Sequence, residues 1–564
     1  MRTITEIIED ALKEAFRNAG IDDKFARVSL SNRPDLCEYQ CNGCMAAAKV
    51  LHQNPLEIAN KITDQLKDSP AFESVEAVAP GFINLKLSRE GLSLYIRDMA
   101  KSDRFGVESQ SGRIIIDYGG ANVAKPLHIG HLRSAIIGES LKRIGSYIGY
   151  DMIGDIHLGD WGLQMGLITA EMPDGDISMD DLEKIYPHAS ARAKEDPEFA
   201  RVAHENTGKL QSGDPELRKK WEKIMQISLA DLKRNYDNLD VHFELWKGES
   251  DVQPLIPDLV KMLENSGLAH ESDGALVVDV TEPDDKKEIP PCIIRKSDGS
   301  SLYATTDLAT MVDRENKYQP DAYIYITDNR QAMHFVQVFR TAKKAGIIPA
   351  DRKLTHIGFG TMNGKDGKPF KTRSGGVMRL EELISDTNQK CLEKIRENRE
   401  IPENEAEEIA KIVGLAAIKY GDLSNQATKD YIFDLDRFTS FEGNTGPYIL
   451  YSIVRMKSIL SKADIPFSTE DILPAQTESE KKLELELVKF PDTVRTAWDE
   501  LAPHRICQYL YNVADAFNSF YHEVKILSET DESRKKSYLA KIDLAKRILE
   551  DCIWMLGISA PDKM

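Results

Sequence analysis

Two imidazoles three residues apart, His128 and His131, stand in the run Lys125-Pro-Leu-His-Ile-Gly-His131. At i,i+3 spacing both rings project from one side of a first helical turn. There they can donate hydrogen bonds to phosphate oxygens as charge develops. Gly130 between them has no side chain, so a flat base can stack on its backbone, and Lys125 adds a positive charge. A second grouping, Cys37, Cys41 and Cys44, is spaced like part of a metal site. A structural zinc takes four ligands, however, and the nearest candidate, His52, has no usual finger spacing. The cluster reads as small residues buried on a short helix. Seven cysteines, odd in number and scattered, fit a reducing compartment.

The imidazole run needs an element before it and one after it. RIIIDYG (113–119) is a short apolar run bounded by glycine and predicts a buried strand. LRSAIIGESLKRIGSYIG predicts a helix ended by Gly149. A strand–turn–helix junction leaves helix N–H groups free to face a nucleotide phosphate. Further apolar runs at 275–280, 322–328 and 355–362 alternate with helical segments, which predicts a parallel sheet and an α/β domain over 109–440. The stretch 171–270 is helical and charge-rich and reads as an insertion. Residues 1–108 read as a small α+β unit, with helices at 1–20 and 56–68 and a strand pair, FESVEAVA and FINLKLS, joined at Pro80-Gly81. From 441 to 564 strand signals stop and helical periodicity takes over. The fold class is therefore a multidomain α/β chain with an α+β N-terminal domain and an all-α C-terminal domain.

Composition sets outer limits. In 564 residues, 41% hydrophobic and 29% charged, the balance is ordinary for globular chains and excludes collagen-like, low-complexity and disulfide-scaffold proteins. No run approaches the ~20 apolar residues of a membrane span, and MRTITEIIEDALKEAF has an acidic amphipathic pattern without the apolar core of a signal peptide. The net charge of −19 at first disfavours nucleic acid, since phosphate binding is driven by Lys and Arg. Yet −13 of it lies in 106–440, with only −2 in 1–105 and −4 in 441–564. Net charge describes the average surface and leaves local patches open.

With His128-Ile129-Gly130-His131 in this setting, the sequence resembles the class I aminoacyl-tRNA synthetases, whose signature is HIGH, and more narrowly the arginyl-tRNA synthetases. ANVAKPLHIGHLRS, HLGDWGLQMG (157–166), SLYATTDLAT (301–310) and the terminal LGISAPDKM carry the resemblance along essentially the whole chain. It implies a Rossmann-like catalytic domain, an N-terminal additional tRNA-binding domain and a C-terminal DALR anticodon-binding domain. It also implies formation of arginyl-adenylate from ATP and L-arginine, transfer of arginine to the terminal adenosine of tRNA(Arg), Mg²⁺ with the ATP, a cytoplasmic setting and a monomer. The second class I signature, KMSKS, departs here. The equivalent stretch is Pro369-Phe-Lys371-Thr-Arg373-Ser-Gly-Gly376, with Thr372 at the second lysine. The resemblance lets Lys125 compensate, with Lys371 and Arg373 as loop cations. Lys365, Lys368 and Arg379 keep the stretch basic against a single Asp366.

For the amino acid, the resemblance maps contacts onto Asp117, Asn122, His128, Tyr303, Asp307 and Gln331. A guanidinium carries five donors and a fixed charge, so its pocket needs carboxylates. Asp307 is assigned to it with Tyr303 as wall, and Asp117 to either the α-ammonium or the guanidinium. Lysine or citrulline would leave acceptors unpaired or lose the charge, which makes editing unnecessary. Asp160 is read as a loop anchor and Trp161 as core. For tRNA, Phe82 and Asn84 share one face of their strand and can stack on and bond an unstacked base. Tyr448, Tyr451 and Met564 are the candidate anticodon neighbours. Rival readings are another ligase or nucleotidyltransferase of the same fold, or a catalytically dead RNA-binding paralogue.

Overall fold

The computed structural model describes residues 1–173, 175–297, 302–368, 378–398 and 402–564 (Asn398 by its backbone). The chain divides into two compact units. One comprises residues 110–440 and 555–558, the other residues 1–109, 441–554 and 559–564.

The first unit is organised by five strands: β1 (Arg113–Asp117), β2 (Asp151–Leu158), β3 (Leu245–Gly248), β4 (Ala322–Asp328) and β5 (Lys353–Phe359). All pairings are parallel and the order is β5-β4-β1-β2-β3. The sheet is thus doubly wound, and its order reverses between β1 and β4, the place where such sheets bind ligands at their carboxyl edge. The central strands β1 and β4 are near-continuous apolar runs, as strands covered on both faces are. Ile115, Tyr323 and Tyr325 pack with Leu308, Met311, Phe335 and Val338 of helices α2 (Tyr303–Tyr318) and α3 (Ala332–Lys344).

Helix α1 (Ile129–Ile148) follows β1 and is buried nearly all round. Its charged residues are buried with partners, as burial of charge demands. Arg133 Nε lies 3.1 Å from Asp422, and Arg143 Nε 2.7 Å from Glu139. Ser134 Oγ donates to Ile326 O and accepts from Gly119 N–H, fastening α1 across the switch point.

Two expectations change. The apolar run 275–280 is not in the parallel sheet. Residues Ala275–Val278 sit at the centre of a three-stranded antiparallel sheet between Ala269–Ser272 and Cys292–Arg295. A short buried apolar run fits either kind of sheet, and here Asp273-Gly274 at positive φ closes a hairpin that fixes the antiparallel pairing. Conversely β3, the edge strand LWKG, lies inside the stretch read as a helical insertion, between the helix that ends at Asn238 and the helices Glu249–Val252 and Ile256–Asn265.

In the second unit a four-stranded antiparallel sheet orders Val28–Leu30, Tyr39–Cys41, Phe82–Leu87 and Phe72–Val78. Helices Ile4–Asn18, Gly43–Leu51 and Pro55–Leu66 belong to the same segment. All seven cysteines of the chain are buried thiols. The C-terminal segment is helical, built on Gly446–Ser461, Glu478–Leu487, Phe490–Asp499, His504–Glu523 and Glu532–Met555. It joins the N-terminal segment through Lys481, which pairs with Glu38 (2.9 Å) and Glu73 (2.8 Å), and through the Phe105–Phe490 edge contact.

Candidate active site

The junction after β1 is built by its own side chains. His128 is the N-cap of α1, and its Nδ1 accepts the Gly130 N–H at 3.0 Å. His131 Nδ1 accepts the His128 N–H at 3.2 Å. The two rings lie 4.0 Å apart. Burial, reinforced by Lys125, lowers the His128 imidazole below its ordinary range; burial and His128 push His131 down to about 3. Both rings are therefore neutral near pH 7. With Nδ1 acting as acceptor, each carries its proton on Nε2. The turn thus presents two Nε2–H donors. It also explains Gly130 in a second way: a Cβ there would stand 2.7 Å from His128 Cε1.

The same turn is tied to the segment beyond residues 369–377. Ile129 N–H donates to Met378 O and Leu380 N–H to Leu127 O, and His128 bridges Arg379. The basic stretch thus ends on the HIGH turn. Lys371 and Arg373 themselves lie outside the described residues. Lys365 is paired with Asp434 at 3.2 Å. Lys125 is half-buried, with its ammonium 4.3 Å from the Tyr186 ring centroid, and burial lowers its pKa.

The carboxyl edge of the sheet collects the remaining candidates. Asp117 ends β1, but its carboxylate is held at 2.5 Å by Arg314, which is 1% exposed and also bonds Asp155 at 2.7 Å and the Tyr325 hydroxyl at 3.0 Å. Asp117 is thus a partner in a buried internal ion cluster. Asn122 is exposed and bridges Gly159 at the end of β2. Gln331 is exposed at the N-cap of α3, just past β4. Tyr303 begins α2 with 73% of its surface exposed. Asp307, one turn on, meets His334 Nε2 of α3 at 2.5 Å.

Sequence reasoning misses Glu249 and His334, and takes His157 only as part of HLGDWGLQMG, with no role of its own. Glu249, just past β3, has its carboxyl pushed up to about 8 by burial and by Asp160 and Asp307. Tyr303 is in turn raised by burial and by Glu249, which places phenol and carboxyl in one neighbourhood. His334 is the partner of Asp307. Both ring nitrogens of His157, near the end of β2, are buried with no hydrogen-bond partner among the described residues. No motif marks Glu249 or His334; only the sheet order brings them to Asp307. Asp160 accepts from the Ser250 N–H (3.0 Å) and hydroxyl (2.5 Å) and anchors its loop, while Trp161 is buried core. Among the described residues no group of three or more His, Cys, Asp or Glu side chains is placed to hold a metal.

On the RNA-facing candidates, Phe82 and Asn84 are half-buried and share a sheet face with Gln40, whose amide donates to Asn84 Oδ1 at 2.8 Å. Tyr448 and Tyr451 are half-buried on one helix. Asn518 donates to the Tyr448 hydroxyl (2.9 Å), and Arg455 donates to that of Tyr451 (3.0 Å) while lying over its ring. Met564 is 6% exposed, so its side chain is packed away.

A doubly wound sheet whose switch point carries two Nε2–H imidazole donors beside a carboxylate-rich edge is the construction of class I aminoacyl-tRNA synthetases. Comparison with known proteins narrows the class. Residues 98–435 match the family described as "tRNA synthetases class I (R), catalytic domain", residues 449–564 the "DALR anticodon binding domain", and residues 2–87 the "Arginyl tRNA synthetase N terminal domain". The arginine–tRNA ligases of Agathobacter rectalis and Alkaliphilus oremlandii are 55% and 48% identical, each over 100% of both chains. The crystal structure of arginyl-tRNA synthetase from Plasmodium falciparum superposes with a TM-score of 0.84 at 25% identity, covering 100% of both chains. The chain belongs to the arginyl-tRNA synthetase family.

Proposed function

We propose that this chain attaches L-arginine to tRNA(Arg) with its HIGH turn serving the ATP phosphates and the carboxylates past β3 and on α2 choosing the amino acid. The reaction is ATP-dependent and AMP-forming. An arginine carboxylate oxygen attacks the α-phosphorus in line, the bond to the β-phosphate oxygen breaks, and pyrophosphate leaves. A ribose hydroxyl of the tRNA terminal adenosine then attacks the arginyl carbonyl, and AMP leaves. Phosphoryl transfer of this kind depends on positioning and charge stabilisation. His128 and His131 supply neutral Nε2–H donors, Lys125 a cation upstream, and Lys371 and Arg373 the cations of the following stretch. Gly130 gives the adenine room. Among the described residues no carboxylate cage for Mg²⁺ is present, so the ion would arrive on the ATP phosphates.

Asp307 and Glu249 together receive the guanidinium. Two carboxylates match its forked donors, and a cation lowers the cost of holding both charged in a half-buried place. Tyr303 walls the pocket. With Asp117 committed to Arg314, its effect on arginine is electrostatic and positional, and Asn122, Gln331 and His157 remain for the amino-acid head. The divisions 1–108, 109–440 and 441–564 act as outer-corner, catalytic and anticodon domains. Phe82, Asn84 and neighbouring Gln40 receive an unstacked base, with Tyr448, Tyr451 and the packed Met564 end near the anticodon. The setting is the cytoplasm and the working form a monomer; among the described residues no helix is long and apolar enough to cross a membrane.

The observation that supports the reading most is the pair of occupied Nδ1 atoms at the switch point beside the Asp307–Glu249 neighbourhood. The test is Asp307→Ala. The arginine KM in ATP–pyrophosphate exchange should rise at least ~100-fold, as loss of a charged partner implies, with the ATP KM unchanged. Unaltered arginine kinetics would remove Asp307 from the pocket.

A further inference from the structure

Helix Met179–Glu195 lies in the insertion between β2 and β3 and carries none of the motif residues. Three of its side chains nevertheless reach Lys125 and Arg379. Asp180, Glu183 and Tyr186 follow one another at three-residue steps, the spacing that keeps side chains along one helix face. Tyr186 lies under the Lys125 ammonium, 4.3 Å from ring centroid to Nζ. Asp180 accepts from Arg379 Nη2 at 3.2 Å, and Glu183 pairs with the same nitrogen. Arg379 is the residue whose backbone bridges His128, between the two hydrogen bonds that tie Met378 and Leu380 to the HIGH turn. One helix therefore grips the cation entering the HIGH turn and the far anchor of the basic stretch.

The helix is fixed independently of these contacts. Ser178 and Asp181 form a reciprocal N-terminal cap, and Leu182 and Ala189 are fully buried. Glu171 holds its later turns through His188 (2.8 Å) and Arg192 (3.1 Å). A helix capped and packed in this way, with an aromatic face under one ammonium and two carboxylates on one guanidinium, can set both groups in register even with Pro187 inside it. A cation over an aromatic face is restrained without being neutralised, so Lys125 stays available to a phosphate oxygen.

We propose that helix Met179–Glu195 is the positioning element of the ATP site, with Tyr186 aiming Lys125 and the Asp180–Glu183 pair holding Arg379 and the end of the basic stretch against the HIGH turn. The proposal rests on the reading of Lys125 as an ATP-site cation. Tyr186 is a positioning residue, acting through Lys125.

The test compares Tyr186→Phe, Tyr186→Leu, Lys125→Ala and the Lys125→Ala/Tyr186→Leu double variant in ATP–pyrophosphate exchange on the full chain with tRNA. Tyr186→Phe keeps the aromatic face and should match the parent. Tyr186→Leu should lower kcat/KM for ATP about tenfold, the size of a partly desolvated cation–π contact, and leave the arginine KM unchanged. In the Lys125→Ala background the same leucine should cost nothing further. Glu183→Gln, at a partly exposed side chain, should raise the ATP KM several-fold and serves if the leucine variant folds poorly. If Lys125→Ala is silent, the reading of Lys125 fails. If Lys125→Ala is damaging while Tyr186→Leu is silent or costs the same tenfold in both backgrounds, or if Glu183→Gln leaves the ATP KM unchanged, the positioning role is overturned and the reading of Lys125 stands.

Discussion

Arginine binding should release a proton from Glu249. The carboxyl is pushed up to about 8 in the free chain by burial and by the charges of Asp160 and Asp307. At pH 7 such a group is roughly 90% protonated. A guanidinium set against it favours the ionised form and lowers the pKa by about 1–3 units. Between ~0.4 and ~0.9 of a proton per arginine should then leave the site at pH 7. Since the folded value is raised and the complex restores it downward, arginine affinity should climb with pH from about 6 and level off above about 8, by at most tenfold per unit. Glu249→Gln keeps the shape and removes the titration. Its arginine affinity should fall by about 10–100-fold, the worth of a charged hydrogen bond, and lose this part of the pH slope. Calorimetry in buffers of different ionisation enthalpy counts the protons directly; subtracting the variant's count removes titration of the amino acid's own ammonium. Equal proton counts in parent and variant would refute the placement of Glu249 against the guanidinium.

Two further outcomes follow from the geometry. Gly130→Ala places a Cβ 2.7 Å from His128 Cε1, so the ring must turn and give up the Gly130 N–H. Exchange activity should drop about 100-fold, the size of a lost preorganised donor, while thermal stability changes little; full activity would show that the ring's seat is dispensable. Phe82→Ala with Asn84→Ala should weaken tRNA binding by about 1–3 kcal/mol, the value of base stacking on an aromatic ring, in a salt-sensitive way. Unchanged affinity in a titration of labelled tRNA would remove that sheet face from the RNA surface.

The HIGH turn was legible because its chemistry is local. Strand, turn and helix are contiguous, and His128 and His131 cap the helix they begin. The arginine pocket was legible only in part. Asp307 stands in a recognisable stretch, but its neighbours come from different segments of chain: His334 from α3 and Glu249 from the end of β3. They meet only because the order β5-β4-β1-β2-β3 puts those ends on one edge. Strand β3 itself is four residues long at a sheet edge, too short for periodicity to separate from the helices before it. Arg314 shows the opposite failure. Nothing in MVDRENK singles it out, yet it is 1% exposed and occupies Asp117. Burial of an arginine follows from tertiary packing, which side-chain type alone does not report.

The central claim is that a neutral two-imidazole turn and an acidic sheet edge form one site that activates arginine. The most direct measurement is ATP–pyrophosphate exchange with each amino acid in turn, with and without tRNA. Exchange dependent on arginine, stimulated by tRNA and absent with lysine and citrulline is the predicted result. Exchange driven by lysine or cysteine in place of arginine, or tRNA binding with no exchange at all, would contradict it.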